Sequence, residues 1–430
     1  MTRPPEASAS STDGSRDEWS APARRLSPFA TLCGVGFLGR LSYEMVRSPV
    51  TSLYARHLGA PVELIGLIVS AVTITGIFVK LPSGALSDLF GFRRLMTAGA
   101  WVKASGPFVY LAATTWPVLL VVRFYHGLAT ALYAPPAAAL VAKAYPGERG
   151  RRLGLYNSAE NAGVVLGPVL GGAVLSLTLS NFRIAFIVAG GIGALSLLVM
   201  LRIPRDEMTS APRPGPGGPR RLGPALRDLR AGVKEVASDP GIRLVSLVEA
   251  ALWMGIGSMQ AYLPLYALTI HLSTFEIGVI AGGQGVASVL TRPVMGRRSD
   301  RVKSRAPLIV FGSLLCIGTL IATPYAMNFA ALLALAAVFG LGTGIVTPST
   351  MAVIGDLVRK GNYGSAMGVF GSLWDTGHAA GPLVFGFLLA ALGYRTSWLI
   401  MALVMSAAVM VFLLRAAKRV PAPADANPGA

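Results

Sequence analysis

Four carboxylates lie in long apolar stretches of this sequence, and the first has two arginines beside it. Glu44 follows Arg40 by four residues and precedes Arg47 by three, a spacing that places all three side chains on one face of a helix. An unpaired buried carboxylate is costly, so Glu44 is a candidate for binding a proton or responding to a substrate. The alternative is a structural ion-pair ladder with the two arginines.

The other three acids have different neighbours. Asp375 precedes His378 by one helical turn, and a carboxylate and an imidazole at that spacing could relay protons or form a structural pair. Glu160 lies three residues after Asn157 in an apolar stretch, which makes it a further candidate for proton coupling. Glu249 begins a later apolar stretch near its edge and carries the least weight.

One arginine lies in an apolar segment without an acid nearby. Arg123 shares a helical face with His126 and Thr130. A buried arginine usually faces the interior of a helix bundle or a water-filled cavity. The alternative is a structural arginine bonded to backbone carbonyls.

The composition shows which elements must position these residues. Only 13% of the 430 residues are charged and 53% are hydrophobic, whereas an ordinary soluble protein carries about 25% charged residues. Charge-free runs such as 104–122, 184–201 and 306–355 are typical of membrane-spanning helices, which need about 18 mostly apolar residues. We predict an all-α integral membrane protein with twelve transmembrane helices, at 28–56, 62–82, 95–114, 117–141, 153–179, 182–203, 243–270, 275–295, 306–325, 328–355, 363–392 and 396–416.

A linker rich in Pro and Gly divides these helices into two sets of six. The predicted organisation is a disordered cytoplasmic tail at 1–27, an N-terminal six-helix bundle at 28–203, a cytoplasmic linker with an amphipathic helix at 204–242, a C-terminal six-helix bundle at 243–416 and a tail at 417–430.

The basic residues indicate the orientation in the membrane. The net charge is +18, but Lys and Arg concentrate in the tails and in alternate loops, which predicts cytoplasmic termini. The basic surface then faces lipid headgroups, so nucleic acid is not an expected partner. Cys33 and Cys316 lie apart in apolar segments without metal-ligand spacing, and neither a nucleotide-binding loop nor a metal cluster is evident. We expect no cofactor, no metal and no enzymatic activity.

The two sets of helices repeat one another. An offset of 212 residues pairs Ile65-Gly66 with Ile277-Gly278, and pairs the loop at 84–94 with the loop at 296–305. Gly163 to Pro168 pair with Gly377 to Pro382 at an offset of 214. Such duplicated bundles, with a site between them, are typical of transporters.

The first repeated loop resembles a signature of the major facilitator superfamily, Gly-x-Leu-x-Asp-Arg-x-Gly-Arg-Lys. Gly84, Leu86, Asp88 and Gly91 match it and Arg93 supplies the final cation, whereas Leu89 and Phe92 replace basic residues. In the second copy Gly296, Asp300 and Arg301 match, and Lys303 replaces a glycine. The resemblance implies a cytoplasmic latch that opens and closes during transport; a passive turn is the alternative.

Two further motifs resemble the branch of drug:proton antiporters with twelve transmembrane helices. Arg123 to Thr130 are similar to the family motif Arg-x-x-Gln-Gly-x-Gly, with His126 and Ala129 as replacements, and the implied role is proton coupling. The antiporter motif of the fifth helix matches Gly163, Gly167, Pro168, Gly171 and Gly172. Generic packing of small residues is the alternative.

The sequence thus predicts a proton-coupled exporter of a small amphipathic compound, working as a monomer in the plasma membrane by alternating access between two pseudo-symmetric bundles. The alternatives are a proton symporter that imports an organic anion and a transport-inactive receptor or assembly factor. Proton coupling is assigned to Glu44, Arg123, Glu160, Asp375 and His378. The substrate cavity is assigned to Arg40, Tyr43, Arg47, His126, Asn157, Gln260 and Trp374.

Overall fold

The computed structural model describes residues 28–145, 147–203, 238–299, 301–302, 304–357 and 363–419, with the backbone alone at 81–90, 143, 363–369 and 416–419. Helices dominate these residues. They are α1 (Pro28–Met45), α2 (Thr51–His57), α3 (Val62–Phe90), α4 (Phe92–Val109), α5 (Trp116–Ala144), α6 (Arg149–Leu177), α7 (Phe182–Leu201), α8 (Pro240–Thr269), α9 (Thr274–Ser299), α10 (Ala306–Ala322), α11 (Phe329–Leu357) and α12 (Tyr363–Arg419).

The helices follow the order of the twelve predicted segments. Helices α1 and α2 together occupy the first segment, and α12 occupies the last two. The π-helical turn Val46–Val50 joins α1 to α2, and Gly393 breaks α12 into two arms at a positive φ of 75°. Eight helices of the described residues are long and apolar enough to cross a membrane by themselves. An all-α membrane fold is therefore confirmed, and its layout is compatible with twelve spans.

The first predicted helix is wrong in one respect, because it is not continuous. Ser48 has an extended backbone (φ −147°, ψ 134°) directly before Pro49. Proline lacks an N–H and disfavours the helical conformation of the residue before it, so the helix breaks there. The break follows directly after Arg47 and separates the α1 polar residues from α2.

The predicted loop at 84–94 is also mostly helical. Helix α3 continues to Phe90, and Gly91 alone makes the turn into α4 with a φ of 85°. Only glycine adopts this conformation without strain. In the second copy α9 likewise continues to Ser299. The predicted amphipathic helix of the linker, the tail at 1–27, residues 420–430 of the second tail and Asp300 lie outside the described residues, whereas the backbone at 417–419 continues α12.

Each bundle is held together by close helix pairs. In the first bundle α1 contacts α6 and α7, and α5 contacts α3 and α4; in the second, α8 contacts α12 and α9 contacts α11. Small residues allow the closest approaches: a Cβ built on Gly167 would lie 2.6 Å from the Cβ of Glu44. Close backbone packing of this kind is how helices associate where lipid offers no hydrophobic driving force.

Two helix pairs make the most extensive contacts between the bundles. We call the contact of α3 with the first arm of α12 the first seam, and the contact of α6 with α9 the second seam. Both seams are tightly packed where α3 and α9 begin, and we call this end of the interface the far end. There Gly66 faces the backbone of Pro382 across the first seam, and Gly278 faces that of Pro168 across the second. Tyr262 adds a hydrogen bond of 2.9 Å to the Val62 carbonyl.

Candidate substrate cavity between the bundles

A cavity of about 230 Å³ lies between the bundles, mainly along the second seam. This volume is close to the lower end of the range for small-molecule sites, about 300 Å³. Its apolar wall includes Val164, Trp253, Ile256, Met259, Leu263 and Ile280. Its polar lining includes Arg40, Glu44, Arg47, Asn161, Gln260, Gln284, Ser288 and Arg292.

The ladder on α1 forms one wall of this cavity. Glu44 is only 4% exposed, and its Oε1 accepts contacts from Arg40 at 2.9 Å and Arg47 at 3.2 Å. One carboxylate is therefore shared by two guanidinium groups. The Nε of Arg40 is buried without a hydrogen-bond partner among the described residues.

Arg47 links this ladder to the other bundle. Its Nη2 lies 3.3 Å from the Nε2 of His378 on α12, which also lies 3.1 Å from Gln260 Oε1. The other ring nitrogen, Nδ1, lies 3.0 Å from the Thr73 hydroxyl on α3. His378 is thus a junction of polar side chains from both bundles at the first seam.

The predicted relay between Asp375 and His378 is wrong as a direct pair. Asp375 instead accepts a 2.6 Å contact from the ammonium of Lys80 on α3. The imidazole of His378 is held by Thr73, Gln260 and Arg47. Opposite charges attract one another strongly away from bulk water, which favours the contact of the Asp375 carboxylate with the ammonium of the opposite helix.

At the positions of the second seam that are equivalent by the repeat to Lys80 and Asp375, the side chains are different. Arg292 on α9 follows Lys80 by 212 residues, and Asn161 on α6 precedes Asp375 by 214 residues. A neutral amide therefore replaces the carboxylate, and both side chains line the cavity. The buried Nε of Arg292 has no hydrogen-bond partner among the described residues.

The neighbouring residues towards the far end also differ between the two seams. Thr73 and His378 fill the first seam, whereas their equivalents Gly285 and Val164 line the cavity at the second. Small and apolar side chains leave space where the first seam has a hydrogen-bonded pair. The cavity therefore follows the second seam.

Arg123 lies away from the cavity. It is fully buried, and its guanidinium donates to the carbonyls of Ile68 and Val69 at 3.0 and 2.8 Å and to the Tyr110 hydroxyl at 3.2 Å. These contacts are those expected for a structural arginine bonded to backbone carbonyls, which was the alternative to a role in proton coupling. It holds α3 to α5 within one bundle.

Several residues predicted for the cavity lie elsewhere. Tyr43 and His126 are 2% and 0% exposed, and their rings contact each other at a tilt, with centroids 4.7 Å apart, inside the first bundle. Asn157 is exposed outside the cavity lining. Trp374 contacts the cavity only through Trp253, with ring centroids 5.1 Å apart. Position on an apolar helix does not distinguish a bundle's interior from the interface between bundles, which explains these errors.

The remaining acids are held within single bundles. Tyr156 contacts Glu160 in α6 at 3.3 Å. Glu249 is fully buried and accepts hydrogen bonds from Thr347, Thr350 and Trp253 at 2.9 to 3.0 Å. These contacts place Glu249 directly behind the cavity-lining Trp253, deeper than the sequence indicated.

The predicted latch is described only in part. Gly84 lies in α3, Gly91 makes the turn, and Arg93 donates to the carbonyl of Ile203 at 2.8 Å. The side chain of Asp88 lies outside the described residues, as does all of Asp300. Arg301 is exposed in a turn.

In the second copy an ion pair joins the last residue of the loop at 296–305 to another helix of the same bundle. Arg305 pairs with Asp356 at the end of α11.

The antiporter-like glycines divide between two partners. Gly163, Gly167 and Gly171 face α1, whereas Gly172 faces Gly278 of α9 across the second seam. The motif therefore packs one helix within its bundle and against the other bundle. Pro168 lies at the same contact and lines the cavity.

Sequence reasoning assigned no role to Lys80, Asn161 or Arg292. The repeat contains the signal that would have found them, because the offset of 212 pairs the two cations and the offset of 214 pairs the amide with Asp375. A cation that keeps its place in both halves while its partner changes marks a position where the halves have diverged.

Helical bundles that surround a cavity at a duplicated interface define a multi-pass membrane transporter. Comparison with known families identifies which one. A family model described as Major Facilitator Superfamily matches residues 32–282 and, in a second match, 245–430. The chain therefore belongs to the major facilitator superfamily, whose members are transporters rather than enzymes.

The chain is similar to curated transporters along most of its length. It is 23% identical over 345 residues to the quinolone resistance protein NorA of Staphylococcus aureus, which covers 79% of this chain and 84% of that protein. It is 26% identical over 336 residues to the multidrug resistance protein MdtH of Aeromonas hydrophila, covering 76% and 79%. An MFS-type transporter of Methanocaldococcus jannaschii is 22% identical over 377 residues, covering 86% and 90%.

Solved structures show the same fold. A bacterial homologue of the human lysosomal transporter Spinster, in an inward-facing and unoccupied conformation, has a TM-score of 0.77 at 16% identity and covers 92% of this chain and 98% of its own. A POT peptide transporter has a TM-score of 0.75 at 16% identity, covering 93% and 97%. At this identity the likeness concerns the fold alone.

Proposed function

We propose that the protein is a proton-coupled exporter of small amphipathic compounds. The observation that carries this proposal is the polar chain from Glu44 through Arg47 to His378, which joins the two bundles beside a partly apolar cavity. Proton binding to a group in such a chain changes the contacts between the bundles. Similarity to proteins named for quinolone and multidrug resistance supports export of drug-like compounds.

In the proposed mechanism proton and substrate occupy the carrier in turn. With Asp375 ionised, Lys80 holds the first seam in its present contact. A proton on Asp375 would abolish this ion pair, and the two bundles could then rock about the cavity. Glu44, Glu160, His378 and Arg123 remain proposed members of the proton path, Arg123 through the helices that it positions.

The orientation completes the proposal. With cytoplasmic termini and a monomer in the plasma membrane, the tightly packed far end faces outwards. The conformation described is then closed to the outside. A substrate would enter the cavity from the cytoplasm or the inner leaflet and leave once the far end opens.

Proteoliposomes with an imposed pH gradient test the proposal, with norfloxacin as the quinolone probe and a trapped pH dye to follow protons. We expect movement of the probe across the membrane to be accompanied by movement of protons in the opposite direction. Glu44→Gln should lower this coupled flux about tenfold, a change worth about 1.4 kcal/mol, and Asp375→Asn should lower it about five- to tenfold. Glu148→Gln, which neutralises an exposed acid at the start of α6, is the matched control.

Two results contradict this mechanism. One is probe flux that ignores the pH gradient. The other is full coupling in both Glu44→Gln and Asp375→Asn.

The second candidate is a symporter that imports an organic anion, and the shared carboxylate favours it. A proton on Glu44 would release Arg40 and Arg47 together, so that an anion and a proton would bind in the same step. The direction of proton flow in the same vesicles separates the two functions, because symport moves proton and substrate the same way.

A further inference from the structure

The charges that line the cavity do not balance. Arg40, Arg47 and Arg292 contribute three positive charges, and among the described residues that line the cavity Glu44 is the single carboxylate. Glu249, which is buried behind Trp253, would still leave the site positive. Uncompensated cations in a partly apolar cavity attract an anion far more strongly than they would in water.

Two of these arginines also have unused donors. The Nε atoms of Arg40 and Arg292 are both buried without a hydrogen-bond partner among the described residues. Buried donors are almost always satisfied in native structures, so acceptors are expected at this place in the working protein. Both residues line the same cavity, so one ligand could supply acceptors to both.

The repeat explains why Arg292 in particular is available. Its equivalent, Lys80, is neutralised by Asp375 across the first seam. Across the second seam the position of the acid is occupied by Asn161, which also lines the cavity. The described residues within 4.0 Å of the Arg292 guanidinium include no carboxylate.

We propose that the transported compound carries an anionic group, a carboxylate or sulfonate, and that Arg292 binds this group while the apolar wall holds the rest. A planar guanidinium suits such an oxyanion, since it can donate two parallel hydrogen bonds. Asn161 is placed to donate a further hydrogen bond from its amide. The proposal rests on the proposed function only in taking the cavity as the transport site.

Binding to the purified full-length protein in lipid nanodiscs tests this, with two probes that share a ring system. Anilinonaphthalene sulfonate carries the anion, and phenylnaphthylamine lacks it. We expect Arg292→Gln to raise the Kd of the sulfonate about tenfold, or about 1.4 kcal/mol, and to change that of the amine less than twofold. Arg292→Lys should restore much of the affinity, because it restores the charge.

Two more variants sharpen the test. Asn161→Asp would supply the missing acid and should weaken sulfonate binding as Arg292→Gln does, without removing any cation. Arg297→Gln makes the same substitution at an exposed position on α9 and should leave binding unchanged. Unaltered thermal stability and elution as a single species establish that each variant is folded.

The proposal is overturned if Arg292→Gln leaves sulfonate affinity unchanged, or weakens both probes equally. Its failure is distinct from that of proton-coupled export. Binding needs no gradient, so Arg292-dependent anion binding together with gradient-independent flux contradicts only the export mechanism. Gradient-driven flux without charge preference contradicts only the anion site.

Discussion

The two seams between the bundles are alike at the far end and different in the middle. At the far end, Gly66 meets the backbone of Pro382 and Gly278 meets that of Pro168, and these pairs are equivalent by the repeat. In the middle, Lys80 and Asp375 form an ion pair, whereas Arg292 and Asn161 line a cavity. The duplication has preserved the close backbone contacts and changed the side chains that carry charge.

This difference is the basis for the two different roles that we propose for the seams. A seam with an ion pair and a hydrogen-bonded histidine has contacts that one proton can alter. A seam with an amide, a glycine and an arginine that contacts no carboxylate among the described residues has space and charge for a ligand. If the proposals above hold, the proton on Asp375 and the anionic group on Arg292 would act at opposite sides of the interface, where a rocking motion of the bundles could couple them.

The largest expected effect comes from the feature that the seams share. A Cβ on Gly278 would lie 2.5 Å from the carbonyl oxygen of Pro168, which is closer than packed atoms allow. Because this oxygen belongs to the backbone, a change of side-chain rotamer cannot relieve the clash. We therefore expect Gly278→Ala to prevent closure of the far end and to lower transport at least about tenfold. Gly66→Ala should do the same at the first seam.

Thiol labelling measures closure directly. An impermeant maleimide should react faster with Ala60→Cys, in the turn at the far end, once Gly278→Ala is added. Gly318→Ala is the matched control, since nothing lies within 4 Å of a Cβ built there. Normal transport and slow labelling in both seam variants would show that the far end does not need close backbone contact.

The shared and the divergent parts of the seams were not equally predictable from sequence. Glycine and proline at matched offsets indicated the duplication and close helix packing, because small residues let helices approach closely, although the sequence did not show which helices would meet. The Glu44 ladder followed from helical spacing alone. The partner of Asp375 did not, because Lys80 lies 295 residues away along the chain and only the packing of α3 against α12 brings them together. The assignment of Tyr43 and His126 to the cavity also depended on helix packing that the sequence does not show.

A smaller effect is expected from the ion pair that distinguishes the first seam. Lys80→Met removes the ammonium that contacts the Asp375 carboxylate, and Asp375→Asn removes the carboxylate itself. Breaking one half of a partly buried ion pair costs more than replacing both halves. We expect each single change to lower coupled transport about five- to tenfold. The exchange of charges, Lys80→Asp with Asp375→Lys, should recover a large part of the loss.

The double-mutant cycle measures this coupling, with transport in proteoliposomes as the readout and the amount of folded protein as the correction. The corresponding pair on the second seam, Arg292→Met with Asn161→Asp, is the comparison and should show no such recovery. Additive effects of the Lys80 and Asp375 changes would mean that the ion pair does not hold the first seam during transport.

The smallest difference is expected between the two repeated loops beyond the seams. Gly91 makes the first turn at a positive φ, and the first copy keeps both turn glycines, whereas Lys303 replaces one in the second. The second copy instead gains cations, and the ion pair of Arg305 with Asp356 supports it independently of Asp300. We therefore expect Asp88→Asn to lower transport more than Asp300→Asn, by about twofold to fivefold. Initial rates in vesicles at matched protein density measure the difference, and equal losses would mean that the loops, unlike the seams, have remained interchangeable since the duplication.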